Sequence, residues 1–447
     1  MKHNKSRWGI NIFITVILLS GYQLHAQDSP AMNLTLKDAI DLSIKNNKQL
    51  KNSKAKIDEA SAAVREAKDQ RLPDFKISGS YLRLNNPNVT LKTKSGSGSP
   101  ADSNSIKVSS ALYGLANISY PLYSGMRIQY GIESAKYLEQ AAKLDADNNR
   151  EAVIINAISA YINLYKSKAA ADLVKDNLDQ SRKRDTDFTN LEKNGILARN
   201  DLLKAQLQTS NIELSLYEAQ SNWKLANVNM DIMLGLPEKT IIVQDTASIQ
   251  APADVQSIDE YEKQAAENRK DIKALFYRDK AAGTSIKIAK GDYYPGIALS
   301  GGYVAADVPG LFSVTNAINI GIGVQYSLSS LWKTKAKLQQ AKAREQQVLA
   351  DEEALGDNVR YQINEAYQNY LVSQKKIDVY AKAIDEANDN YRITKNKYDN
   401  SLVTTTELLD ADVAQLQAKL NQAFAKADLV VAYNKLLQSA GLLQSTK

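Results

Sequence analysis

The sequence predicts a mainly α-helical fold with a small β part, organised as an internal two-fold sequence repeat. Adding 222 to positions 36–81, or 206 to positions 120–236, gives matching residues without a gap. Proline is absent from 122–236 and 310–447, which permits very long helices. Four short segments alternate between apolar and polar residues, as strands do. Each repeat is therefore predicted to contain a helix, a strand pair and a long helical hairpin.

The chain begins with a predicted signal peptide over residues 1–26. Lys2, Lys5 and Arg7 precede the apolar run Ile10–Leu19, which is too short to span a membrane as a helix. Both histidines lie in this segment, and the chain contains no cysteine. The mature protein would lack the groups for thiol or histidine catalysis and for Cys/His zinc sites. We therefore expect no catalytic residues, no metal site and no cofactor.

Two repeats are predicted to follow, at 27–240 and 241–447. Their predicted elements are, in chain order, strands at about 74–84 and 111–122, a hairpin at 124–236, strands at about 296–304 and 317–328, and a hairpin at 330–441. The first helix of each hairpin would contain about 70 residues and span about 105 Å. Apolar residues spaced by three and four predict coiled-coil packing of these helices. This length exceeds the needs of a compact domain and suits a crossing of the bacterial periplasm.

The four alternating segments have the length of tilted membrane-spanning strands, about ten residues each. One face is apolar, and the other carries Ser, Gly, Asn and Gln, which suit a polar lumen. Tyr81, Tyr120, Tyr303 and Tyr326 lie near the segment ends, where an aromatic girdle would contact outer-membrane lipid. A soluble antiparallel sheet with one wet face is the alternative. Connecting loops are predicted at 85–110, rich in Ser, Gly and Pro, and at about 305–316.

Four strands per chain predict a homotrimer. Four strands cannot close a barrel, and open sheet edges in lipid are strongly disfavoured because their backbone groups stay unpaired. Two chains would give eight strands, whose interior is just wide enough to fill with side chains. Three chains would give a trimeric 12-stranded β-barrel with room for water, continued by a long α-helical coiled-coil tunnel. A dimer remains the competing stoichiometry.

Composition argues against several functions. Without the signal peptide, 53 basic and 50 acidic residues remain, a balance that does not favour nucleic-acid binding. No phosphate-binding GxxxxGK[ST] loop occurs. A glycan-active enzyme would need paired carboxylates on a compact fold, which the pattern does not indicate. The main rival hypothesis is a soluble periplasmic coiled-coil scaffold or adaptor.

Over its whole mature length, the chain resembles TolC-type outer-membrane efflux proteins, the outer membrane factor family. The resemblance rests on the duplicated halves, two strands per half and long helical hairpins. It implies a passive exit duct in the bacterial outer membrane, with three protomers forming a barrel and a periplasmic tunnel. It also implies two partners, a periplasmic adaptor (membrane fusion) protein and an inner-membrane pump of RND, ABC or MFS type.

The resemblance extends to the helical turns that form the tunnel tip of this family. There, a Val-Gly-Leu-like turn is followed by an acidic residue seven positions after the Val. The matching residues here are Asn194, Gly195 and Ile196 with Asp201, and Asn400, Ser401 and Leu402 with Glu407. Asn replaces Val in both turns, and Ser replaces the second Gly. The six turn residues are implied to contact the adaptor.

The resemblance also implies a gate. Glu407 and Asp410 match paired acids that ring the periplasmic aperture, so three copies would present six carboxylates that attract cations. The sequence Thr404-x-x-Glu407 is also a capping box, so Glu407 has a purely local alternative role. Asp410 lies one turn further on and is not explained by the cap.

A latch completes the implied gate. In the family, an acid from the first repeat bonds a tyrosine and an arginine beside the second turn. Asp201 and Tyr398 match the first two positions, whereas Val403 occupies the arginine position. We therefore hypothesise a weaker latch in this chain.

Overall fold

A computed structural model describes residues 31–85, 87–89, 106–245 and 255–443 of this chain. The predicted signal peptide and most of the loop predicted over 85–110 lie outside these residues. The described helices are α1 Leu36–Asn46, α2 Lys48–Asp69, α3 Arg127–Lys193, α4 Arg199–Leu234, α5 Ile258–Asn268, α6 Lys270–Gly291, α7 Ser330–Asp399 and α8 Thr405–Ser439. The described strands are β1 Ala31–Leu34, β2 Asp74–Arg83, β3 Asn88–Val89, β4 Ile106–Lys107, β5 Ser110–Tyr123, β6 Ile241–Gln244, β7 Gly296–Val308 and β8 Phe312–Gln325. The predicted mainly α fold with a small β part is confirmed.

Two helices dominate the molecule, α3 with 67 residues and α7 with 70. At 1.5 Å per residue they extend about 100 and 105 Å. Helix α3 ends before Gly195, which adopts a left-handed conformation with φ of 72°. Asn200 has a side chain of the type that favours N-cap positions, but it lies inside the next helix. The N-cap of α4 is Ala198, in extended conformation and without a side-chain capping bond.

The helices pack as a row in which α3 and α7 alternate with pairs of shorter helices. Helix α3 contacts α2 and α4 from the first repeat and α6 and α8 from the second. Helix α7 contacts α6 and α8, so it lies at the opposite end of the row from α2 and α4. The parallel strands β1 and β6 lie against the middle of α3. There, the buried Tyr161 hydroxyl of α3 donates to the Leu34 carbonyl of β1 at 2.9 Å.

The principal sheet has the strand order β2–β5–β7–β8, and all its pairs are antiparallel. Helices join it at one end, and the β2–β5 and β7–β8 connections lie at the other. The expectation of a loop at about 305–316 was wrong. The connection is shorter, because β7 continues to Val308 and β8 begins at Phe312. Gly310, with φ of 78°, allows this tight connection. Strand β8 also ends at Gln325, so residues 326–328 lie outside it.

The sheet meets the helices at a closely packed backbone contact. Gly125, with φ of 64°, packs so closely on Gly291 that a Cβ atom would overlap the carbonyl oxygen of Gly291. Next to this contact, the Asp292 carboxylate accepts bonds from Arg127 and Lys337, each at 2.8 Å. These contacts tie the first turn of α3 and the first part of α7 to the end of α6. None of the helices in the described ranges combines the length and apolar character needed to span a membrane.

Candidate functional site

The candidate site comprises the two helical turns at the end of the bundle remote from the sheet, α3–α4 and α7–α8. Phe188 of α3 stacks on Tyr398 of α7, with ring centroids 5.5 Å apart. Leu202 of α4 and Leu408 of α8 pack into the same apolar core. The fold therefore brings the two predicted tip segments side by side within one chain.

Asn194 and Asn400 end their helices in the same way. The amide of Asn194 donates to the Asn190 carbonyl at 2.8 Å, and that of Asn400 donates to the Asn396 carbonyl at 2.7 Å. A left-handed residue follows each Asn, and in the second turn it is Ser401 with φ of 61°. These bonds to the last carbonyls give a physical reason for Asn where the TolC-type motif has Val.

Ile196 and Leu402 are the exposed apolar residues of the two turns. Their exposed fractions are 74% and 73%, and they occupy equivalent positions in the two repeats. Each turn is closed by a bond from their own backbone, Ile196 N–H to the Leu191 carbonyl and Leu402 N–H to the Lys397 carbonyl, both at 2.9 Å. The turns thus present one apolar side chain each on a rigid backbone, which is suited to contact with another protein.

Glu407 forms the capping box that was the local alternative for this residue. Its Oε2 accepts from the Thr404 backbone N–H at 2.7 Å and from the Thr404 hydroxyl at 2.9 Å. Both bonds lower the pKa of the Glu407 carboxyl, and the bond from the Thr404 backbone N–H has the larger effect. Glu407 and Asp410 are both exposed, so both charges are available outside their own chain.

Asp201 and Tyr398 of the predicted latch have separate partners within one chain. Asp201 accepts a bond from Lys204 at 3.1 Å. The Tyr398 hydroxyl lies 3.3 Å from the Thr405 hydroxyl. Val403 is partly buried between the second turn and α8. Within the described part of one chain, Asp201 and Tyr398 do not form a hydrogen bond with each other.

A buried polar cluster just above the turns was missed by the sequence analysis. Asp412 of α8 is 1% exposed and accepts from Arg184 of α3 at 2.9 Å and from Asn177 at 3.2 Å. Arg184 also donates to the Ser181 hydroxyl at 3.0 Å, and that hydroxyl lies 2.6 Å from the Thr209 hydroxyl of α4. The cluster thereby connects the first hairpin to the second. A charged pair 228 positions apart leaves no periodic signal that could have revealed it.

The residue types at the site suit a charged tip that contacts another protein, and not a reaction centre. It offers exposed carboxylates, exposed apolar side chains and a buried polar cluster, and the Thr404 hydroxyl beside Glu407 serves as a helix cap. Among the described residues, no group of three or more His, Cys, Asp and Glu side chains is placed to hold a metal ion.

Comparison with known proteins matches the sequence of the chain to one family. The sequence profile of the outer membrane efflux protein family matches residues 39–236 and 262–442. The outer membrane efflux protein BepC of Brucella suis biovar 1 (strain 1330) is 24% identical over 432 residues, covering 95% of this chain and 89% of that protein. Nodulation protein T of Rhizobium leguminosarum bv. viciae is 30% identical over 172 residues, covering 38% of this chain and 35% of that protein.

Solved structures share the fold. The CusC channel superposes with a TM-score of 0.76 at 18% identity, covering 94% of this chain and 95% of CusC. The CmeC outer membrane channel of Campylobacter jejuni gives 0.75 at 17% identity, covering 91% and 86%. VceC of Vibrio cholerae gives 0.73 at 19% identity, covering 91% and 96%.

Proposed function

Because the chain belongs to the outer membrane efflux protein family, we propose that three copies form the exit duct of a tripartite efflux or secretion system. Family membership makes the chain an outer-membrane channel protein and not an enzyme. The proposed duct is passive, and energy comes from an inner-membrane pump of RND, ABC or MFS type. A periplasmic adaptor would join the two.

The observation that carries the proposal is a four-stranded sheet whose outer strands, β2 and β8, each have one free edge within the described chain. Its two faces differ, with Ile77 and Ile320 almost fully exposed on one and the row Lys76, Asn117 and Asn319 on the other. An apolar face suits lipid, but an open edge in lipid costs several kcal/mol per unpaired group. Pairing β8 with β2 of a neighbouring chain keeps the antiparallel order and removes the edges. Three chains then supply twelve strands.

The helices support the same assembly. The free side of α4 carries Leu207 and Leu214, and that of α7 carries Val372 and Val379. Each pair is spaced by seven residues, the period of a coiled-coil seam. Helices α4 and α7 lie at opposite ends of the row in one chain, so packing α7 on the neighbour's α2 and α4 closes a ring. This ring is the proposed periplasmic tunnel.

The exposed acids at the tip give the proposed gate its chemistry. In a trimer, Glu407 and Asp410 supply six carboxylates around the periplasmic mouth, which would favour cations and repel anions. Asp201, Tyr398 and Val403 lie beside this mouth in our proposal and affect how firmly it closes. The two local roles of Glu407, cap and gate charge, are compatible because the capping bonds use only one carboxylate oxygen.

The proposed adaptor contact uses both turns. Ile196 and Leu402 would insert into apolar positions of the adaptor, and Asn194, Gly195, Asn400 and Ser401 would fix the backbone that presents them. Six equivalent apolar residues per trimer match a ring-shaped partner.

Ion selectivity in planar bilayers tests the proposal. The purified wild-type protein is expected to form cation-selective pores. Glu407→Gln and Asp410→Asn should each lower the cation-to-anion permeability ratio. Gln is accepted at this position of a capping box, so Glu407→Gln removes charge while the helix start is kept.

Thr404→Ala is the matched control, because it removes the cap and keeps the charge. It should leave selectivity unchanged. If pores form and neither acidic substitution changes their selectivity, the proposed duct stands, but its gate lies elsewhere. Failure of the wild-type protein to insert would refute the duct and favour the periplasmic scaffold.

A further inference from the structure

The sheet face opposite the lipid-facing side changes character along its length. Near the helices, the register places Asp74, Ser119, Ser300 and Gly321 in one row. The next row on this face contains Lys76, Asn117, Gly302 and Asn319. In the proposed barrel this face lines the lumen, so its periplasmic half is polar.

Two residues further from the helices, the same face becomes apolar on the two central strands, β5 and β7. Leu115 pairs with Val304, and Val304 pairs with Ala317. Tyr113 pairs with Ala306 in the following row. We call six of these lumen-facing residues the apolar collar: Ala111, Tyr113, Leu115, Val304, Ala306 and Val308. The change occurs at the same level in the two central strands, β5 and β7, whereas β2 contributes Ser78 and Ser80 to these rows.

The outer part of the collar is already packed within one chain. Ala111 and Val308 are 1% and 4% exposed and form a small core with Val108, which is 2% exposed. Leu84 and Leu311 pack against this core from the two strand connections. Residues of the strand connections therefore cover this face of each protomer at the end remote from the helices. Leu115 and Val304 lie just inside this covered region and remain partly exposed.

We infer that the extracellular half of the lumen is an apolar constriction, formed by the collar, that restricts hydrated ions. This inference rests on the proposed trimeric barrel. Three copies place three Leu115–Val304 pairs around the lumen, directly inside the packed cores of the outer mouth. Apolar narrowings oppose ion flow because they offer ions no polar partners for the water they lose. The collar thus determines specificity at a place separate from the acidic tip.

Conductance of purified channels tests the collar. Leu115→Gln/Val304→Thr makes one register pair polar with little change in size. We expect single-channel conductance in potassium chloride to rise at least about twofold, because a wetted lumen lowers the barrier to ions. Val304→Thr alone keeps the β-branched shape, so it reports on the same effect if the double variant folds poorly. It should raise conductance by a smaller factor.

The matched control is Ser119→Ala/Ser300→Ala, a register pair on the same face in the polar half. It should leave conductance unchanged. If pores form but both collar variants conduct as the wild type does, the collar is overturned while the duct stands. An equal rise in the control also overturns it, because the effect would not belong to the collar. If the wild-type protein forms no pores, the proposed function fails with it.

Discussion

The buried pair Arg184–Asp412 gives the sharpest energetic prediction. Asp412→Ala leaves the Arg184 guanidinium, itself 9% exposed, without its carboxylate partner. Removing one partner of such a pair costs about 3–5 kcal/mol, since a charge stays buried without compensation. The loss falls on the contact between α3 and α8, because the cluster connects these helices. Above the turns, the two hairpins should separate more easily.

Hydrogen exchange measured by mass spectrometry on the detergent-purified protein would detect this local effect. A loss of 3 kcal/mol corresponds to an increase of about 10²-fold in the exchange rate of amides that open with the cluster. Peptides from 178–190 and 406–416 should show it, and peptides near Tyr161 should not. Arg184→Met/Asp412→Leu removes both charges and should restore most of the protection. Unchanged exchange in Asp412→Ala would refute the reasoning.

Three further substitutions probe other parts of the chain. Asp231 is fully buried, and desolvation raises its pKa to about 6, so the wild type should lose stability as pH rises from about 4 to above 6. Asp231→Asn should remove this loss, raising the thermal midpoint at pH 8 more than at pH 5; equal shifts would contradict it. Gly125→Ala should lower the midpoint by forcing a Cβ onto Gly291, whereas Gly131→Ala, with open space around it, should not. Val403→Arg should lower the conductance of the closed channel by strengthening the latch; unchanged conductance would end that hypothesis.

The sequence was most informative where a structural rule is local. Period-two alternation located residues such as Ile77 and Ile320 on one face, because side-chain direction in a strand depends only on position parity. Gly195 marked the end of α3, because its left-handed conformation favours glycine. The absence of proline over long stretches predicted α3 and α7, because proline would remove a backbone hydrogen bond within a helix.

The sequence was least informative where a feature depends on distant contacts. The Arg184–Asp412 pair exists only because two hairpins meet, and neither residue stands out in its own helix. The N-cap at Ala198 was missed because backbone geometry, and not a capping side chain, starts α4. Val108 lies in a stretch predicted as a surface loop, yet it is buried by packing against Val308. Such contacts follow from tertiary structure and not from composition.

The central claim is that β2 and β8 pair between chains to close a barrel of three protomers. Because the chain contains no cysteine, introduced pairs report on this seam without background. Phe75→Cys on β2 would be combined in turn with Ile320→Cys, Ile322→Cys and Val324→Cys on β8, all on the lipid-facing side. Facing positions in adjacent antiparallel strands bring Cα atoms to about 4.5–5.5 Å, within the range that a disulfide spans. Phe75→Cys alone is the control.

The measurement is the size of the cross-linked species after oxidation in outer membranes, read on a non-reducing gel. We predict that one register gives covalent species of two and three chains, with three as the upper limit, and that the single-cysteine control gives no three-chain species. Cross-linking that stops at two chains would indicate a closed dimer. No cross-link at any of the three registers would contradict the seam and, with it, the channel.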